Sequence, residues 1–236
     1  MKTRSHGGAS WRDHLDTAIA VAAFICAIVL LWNTWASRSN ARRTSVRNRN
    51  DVVSFEGAPR RGDPKAKFAI VMYSDYQCSF CARAFQEVLP TIERKYVATG
   101  RVLFVLRQFP LPAIHPLSLA AAVAAQCAAR QDKFWPLHHR LYTYQGRLDL
   151  TLIRNDAVAV GADMTLWDSC MDSADSRAAV DREVTAAREV GVRGTPTFLI
   201  GRMQSPDAIQ VFKEIDGLST IAHWRSALDA ALANAR

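Results

Sequence analysis

Hydrophobic positions fall into three spacings along the chain. The first is an unbroken apolar run from Ala18 to Leu31, closed by Trp32 and Trp35. From Thr17 to Ala36 it has about the twenty residues that one membrane-spanning helix needs. The two tryptophans stand where aromatic rings favour the headgroup layer. A cleaved signal peptide is the alternative, with Thr34-Trp35-Ala36 as its small-x-small site. The bulky Trp32 and Trp35 argue against cleavage, and a retained anchor over 17–36 is the expectation.

The second spacing is continuous and short. Phe68 to Tyr73 and Val102 to Leu106 read as buried strands, with further strand signal at Thr197 to Ile200 and Ile209 to Glu214. Val52 to Phe55 has the look of a short edge strand inside a stretch, 37–62, that otherwise reads as an Arg/Ser/Asn-rich linker. The third spacing is helical. Ala84, Phe85, Val88, Leu89 and Ile92 mark a helix over 82–98, with a kink expected at Pro90. Helical patterns then run through Pro116–Arg130, Asp132–Gln145, Asp149–Val160, Met164–Met171 and Ser176–Val190, and a last helix covers Thr220–Ala233. Strand–helix–strand, a helical block, then strand–strand–helix predicts an α/β domain over 63–236 with an all-helical insertion at about 115–190. Residues 1–16 form an N-terminal tail.

Composition changes this picture in one respect. The formal net charge is +8, but residues 1–50 carry eight Lys/Arg against two Asp, so the folded part is nearly neutral. The basic excess belongs to a tail without nucleic-acid-reading motifs, which excludes a nucleic-acid groove as a partner surface and fits anionic lipid headgroups. The tail also poses a conflict. Arg38, Arg42, Arg43, Arg47 and Arg49 follow the apolar run, outnumbering Lys2, Arg4 and Arg12 before it, and this bias favours a cytoplasmic C-terminal side.

The candidate chemistry is Cys78-Ser79-Phe80-Cys81. It directly follows a predicted strand and opens a predicted helix, where the positive end of the helix favours thiolate at Cys78. Two thiols one turn apart can close a small disulfide ring. A zinc half-site is the competing reading. It needs two more ligands, and Cys127 and Cys170 have no CxxC of their own, so no metal is expected.

The stretches Asp75-Tyr76-Gln77-Cys78-Ser79-Phe80-Cys81, Asp132-Lys133-Phe134-Trp135-Pro136-Leu137-His138 and Val190-Gly191-Val192-Arg193-Gly194-Thr195-Pro196-Thr197-Phe198-Leu199-Ile200 resemble, in that order, the DsbA-like thiol:disulfide oxidoreductases of the thioredoxin superfamily. The resemblance covers residues 51–233. It implies a thioredoxin-like fold and a protein disulfide oxidoreductase without a cofactor. In it Cys78 attacks, Cys81 resolves, and Thr195, a cis Pro196 and Phe80 meet the client peptide. Two departures matter. Ser79 stands where proline is frequent. Phe80 replaces the histidine of the strongest oxidants, so a milder oxidant is expected. Met72 occupies the place where thioredoxins often carry a buried acid. Asp75, the nearest carboxylate, is read as either a proton-transfer or a turn residue.

Cys127 and Cys170 either pair, stapling two helices of the insertion in an oxidising compartment, or stay as buried thiols. The bridge is adopted here. Cys26 is read as lipid-facing filler. His115, His138 and His139 read as turn and surface residues, and Trp135, Trp167 and Trp224 as core or groove walls. The expected function is disulfide formation in exported proteins, at the cytoplasmic membrane with the domain facing outward. Its partners would be reduced clients and a membrane protein that reoxidises the pair. A reductase or isomerase, a non-catalytic peptide-binding module and a cytoplasm-facing redox protein are the alternatives.

Overall fold

The computed structural model describes residues 21–30, 32 and 51–233. The chain divides into two units, Met1–Val46 and Arg47–Arg236. In the first, residues 21–30 and 32 are helical and exposed. Among the described residues no helix is long and apolar enough to cross a membrane. The anchor expected over 17–36 falls partly outside the described residues.

The second unit is built on one six-stranded sheet. Its strands are β1 (Val52–Ser54), β2 (Arg60–Arg61), β3 (Phe68–Ser74), β4 (Leu103–Gln108), β5 (Thr197–Ser205) and β6 (Ala208–Asp216). They lie in the order β1-β6-β5-β3-β4-β2. Only β3 and β4 pair in parallel, and the crossover joining them is a helix, α1, over residues 79–97. The sheet thus begins before residue 63, inside the stretch read as linker: β1 pairs with β6, and β2 with β4.

β3 is central, which explains its unbroken apolar run. All seven of its residues are buried. Phe68, Ile70 and Met72 enter the core beneath α1, while Ala69, Val71 and Tyr73 enter the core on the other face. Ser74, at the end of β3, continues the α1 side by the same period of two.

Helix α1 is not regular. Its turns widen at Ala84–Val88 and again at Glu93–Val97, around a four-residue α segment, Leu89–Ile92. Pro90 lies in the first turn of that segment, where its missing N–H costs least. A wide turn, Ala84–Val88, directly precedes the segment that holds Pro90.

The insertion consists of α2 (Ser118–Ala129), α3 (Phe134–Thr143), α4 (Leu150–Ala159), α5 (Met164–Asp172) and α6 (Ala174–Glu189). Asp149, Asp163 and Ser173 cap the last three, each side chain accepting from backbone N–H groups of the first turn. Part of the acidic run from Asp163 to Asp181 thus serves helix starts. Cys127 of α2 and Cys170 of α5 are joined, with S–S 2.07 Å and Cα–Cα 5.7 Å. Helix α7 (Ile221–Ala233) closes the core by burying Trp224 against Phe198.

Candidate active site

Strand β3 delivers the chain to a turn at Asp75–Gln77, and α1 starts immediately after Cys78. Cys78 keeps an extended backbone (φ −71°, ψ 117°) as the residue preceding the helix. Its N–H bonds Asp75 O, which tightens the turn. Cys78 is 5% exposed and Cys81, one turn further in, is wholly buried. Both are free thiols.

On the facing side, Thr195–Pro196 is a cis peptide. The Cys78 thiol donates to Thr195 O at 3.3 Å. The next residues hold this turn: Gly217 N–H donates to Pro196 O at 2.8 Å, and the Thr197 hydroxyl to Gly194 O at 2.9 Å. The structure therefore brings Cys78, Cys81, Thr195 and Pro196 together across 117 residues of sequence. Phe80, the side chain between the cysteines, is 54% exposed at the mouth of the site.

The two sulfurs have opposite electrostatic surroundings. The Cys78 thiol is lowered to about 5. The largest cause is the hydrogen bond from Cys81; partial burial opposes it. The Thr195 hydroxyl, buried and without a hydrogen-bond partner, and the N–H groups of Cys81 and Phe80 at the helix start add to the lowering. Burial pushes the Cys81 thiol well up, and the Cys78 charge beside it pushes it further. Proton removal thus goes to the outer sulfur, the one a visiting chain can reach.

This makes a pH dependence. A thiol lowered on folding stays ionised down to its folded value and is lost below it. Iodoacetamide modification of Cys78 in the reduced protein is expected to be fast and nearly flat from pH 8 to about 6.5, then to fall with a midpoint near 5. A midpoint near 8.5, the value of an ordinary thiol, is the contrary result.

Polar side chains build the walls, and of these the sequence reading passed over Gln77 and Gln145. The Asp75 carboxylate is buried and accepts from Gln77 N–H at 2.7 Å, Leu111 N–H at 2.9 Å and His115 Nδ1 at 2.8 Å. Asp75 therefore ties the turn before Cys78 to the loop after β4, and His115 is its hydrogen-bond partner rather than a plain surface residue. Gln77 Oε1 accepts from Leu117 N–H at 2.5 Å in the same clasp. Gln145 Nε2 donates to Cys78 O at 2.8 Å, linking the insertion to the thiol turn. The Asx-turn chemistry of an Asp two residues before a bend was the one signal available for Asp75.

His138 corrects the surface reading. It is 3% exposed, on the inward face of α3, with Nδ1 at 3.1 Å from the Tyr76 hydroxyl. Phe85, Phe134, Trp135 and Tyr142 surround its ring. Burial lowers it to about 3, so it is neutral at physiological pH. A cavity of about 410 Å³ opens beside this aromatic cluster, lined by Phe85, Leu89, Ile92, Phe104, Trp135 and His138 among others; neither thiol nor Pro196 reaches it. Among the described residues no group of His, Cys, Asp and Glu has the arrangement of a metal site.

A family model described as Thioredoxin matches residues 54–230, which include the cysteine pair and the cis-proline turn. The chain belongs to the thioredoxin family. Solved structures place this thioredoxin-family chain beside DsbA-like proteins. Wolbachia pipientis alpha-DsbA1 superposes with TM-score 0.68 at 20% identity, over 77% of this chain and 94% of that one. BdbD from Bacillus subtilis gives 0.64 at 20%, over 78% and 100%. A thioredoxin-like oxidoreductase from Silicibacter pomeroyi gives 0.61 at 26%, over 75% and 92%. The fold is thus the one on which thiol:disulfide oxidoreductases of this kind are built, with the helical insertion in place.

A curated relative is the Na(+)/H(+) antiporter NhaA 1 of Mycolicibacterium gilvum, 32% identical over 162 residues, 66% of this chain. The matched region is 26% of that protein's length.

Proposed function

We propose that this thioredoxin-family protein is a thiol:disulfide oxidoreductase that passes its Cys78–Cys81 disulfide to exported proteins. One observation carries the reading: a low-pKa, reachable Cys78 faces a cis Thr195–Pro196 peptide, with a buried, high-pKa Cys81 behind it. A client thiolate attacks Cys78 Sγ, and the electron pair of the broken S–S bond goes to Cys81. A second client thiol then attacks the mixed disulfide and expels Cys78. Two client thiols become one disulfide, and the protein is left as the dithiol. A thiolate at Cys78 stabilises that reduced product, which makes the pair oxidising. Phe80 supplies no charge to it, which moderates the effect.

The Cys127–Cys170 bridge supports an oxidising compartment, against the cytoplasmic orientation that the arginines after residue 37 favour. The proposed location is the outer face of the cytoplasmic membrane, with residues 17–36 as the tether and a membrane oxidant regenerating the disulfide. The exposed Phe80 beside Cys78 suits extended apolar segments of unfolded clients. Transport of ions, named for the curated relative, is not part of the proposal.

The deciding experiment is equilibration of the purified protein with glutathione buffers, together with oxidative refolding of a reduced client. A potential more oxidising than about −200 mV with catalysed refolding supports the reading. A potential near that of thioredoxin, about −270 mV, with no oxidation of the client, turns it into the reductase reading.

A further inference from the structure

The mechanism just given leaves a difficulty at the inner sulfur. Cys81 must leave as a thiolate, yet it is wholly buried, and burial disfavours that charge. Met72, six residues before Cys78 on β3, is also wholly buried and offers no hydrogen-bond donor. The carboxylate of Asp75 is engaged with Gln77, Leu111 and His115. Other groups must receive the developing charge.

Two groups oppose the effect of burial on the Cys81 thiol: the Ser74 hydroxyl at the end of β3 and the Asp75 N–H just after it. Ser74 is buried, and its Oγ is hydrogen-bonded to the hydroxyl of Tyr142, which comes from α3 of the insertion. Tyr142 can also donate to Asp75 O, at 3.4 Å. Its ring is held on three sides, stacked on Phe85 at 5.1 Å and packed against Tyr76 at 4.9 Å and His138 at 5.0 Å. Burial raises the Tyr142 phenol, so it remains a neutral donor.

We propose that Ser74 and Tyr142 form a reversible hydroxyl relay that receives the Cys81 sulfur as it leaves, in the role a buried acid would otherwise fill. The inference rests on the oxidoreductase reading and deepens it. In the dithiol, Cys81 S–H donates to the Cys78 sulfur, while Ser74 donates to Tyr142 and Tyr142 donates to Asp75 O. When a thiolate attacks Cys78, a bond forms between the incoming sulfur and Cys78 Sγ, and the Cys78–Cys81 bond breaks onto Cys81 Sγ. The two hydroxyls then rotate: Tyr142 donates to Ser74, and Ser74 donates to the new thiolate beside the Asp75 N–H. No proton changes owner in this step. Linked donors polarise one another, so the pair stabilises the charge more than an isolated serine would. In this step Ser74 donates to the leaving sulfur, and Tyr142 is a positioning residue that orients Ser74.

The test is stopped-flow reduction of the oxidised full-length protein by dithiothreitol, which reads the leaving sulfur without needing a client. Ser74→Ala is expected to slow reduction about 10- to 100-fold, the range for a lost hydrogen bond to a charged group. Tyr142→Phe keeps every ring contact and is expected to slow it about threefold to tenfold. Ser74→Thr restores the hydroxyl and most of the rate. In both slowed variants, iodoacetamide modification of Cys78 keeps its acidic midpoint, while the Cys81 thiol titrates higher. A merely structural role would lower the melting temperature and leave these rates alone. Wild-type reduction rates in Tyr142→Phe and in a folded Ser74→Ala overturn the relay, as does equal slowing in Ser74→Thr; if Ser74→Ala does not fold, Tyr142→Phe decides alone. A wild-type protein that reacts with dithiothreitol but oxidises no client sinks the functional reading and leaves the relay to be judged on these rates.

Discussion

Replacing Cys78 by serine is expected to abolish client oxidation, while Cys81→Ala traps clients on the protein. The two sulfurs do different work. Cys78 alone is lowered into the acid range and sits by Thr195 O at the mouth of the site. A serine hydroxyl there is not ionised near neutral pH and cannot form the mixed disulfide, so a loss on the order of 10³-fold or more is expected. Cys81→Ala leaves the Cys78 thiolate able to attack a disulfide but removes the sulfur that resolves the product. Incubated with an oxidised client, this variant is expected to accumulate a covalent adduct. Non-reducing gels with mass spectrometry check both outcomes. Full oxidation of a client by Cys78→Ser, or no adduct with Cys81→Ala, contradicts the assignment of roles.

Removing the bridge in the insertion is expected to cost stability without stopping the chemistry. Cys127 and Cys170 are 43 residues apart in sequence. Closing a loop of that size lowers the entropy of the unfolded chain by an amount worth about 4 kcal/mol at 25 °C. For a chain of this length the double variant Cys127→Ala/Cys170→Ala should melt roughly 8–16 °C lower. Urea unfolding of the bridged and double-variant proteins at equal ionic strength measures the difference. Catalysis at Cys78 should persist at temperatures where both remain folded, because the bridge joins α2 to α5 and neither helix carries the redox pair. A shift below about 1 kcal/mol would mean that packing in the insertion already restrains the unfolded loop.

How far the sequence could be read depended on the range of the interaction. The strand, the turn and the helix around Cys78 and Cys81 are local, and their apolar spacing shows on the page. The cis-proline turn was legible because Gly194 to Ile200 forms a distinct run before a strand. β2 was not legible: two arginines have no apolar period, and they are a strand because β4 offers an edge. His138 was read as surface because it lies in an amphipathic helical pattern beside His139. It is buried because Phe85 from α1 and Tyr76 from the turn close over α3.

The sequence by itself determined that this chain carries a paired-thiol site at a helix start on an α/β scaffold interrupted by helices. That information lies in spacings of two, three and four residues, which backbone geometry converts directly into faces. Tertiary structure alone decided the environment of each sulfur. Thr195 lies 117 residues from Cys78, and Tyr142 lies 68 from Ser74. Only packing brings such groups within hydrogen-bond reach, and a pKa answers to neighbours in space, not in sequence.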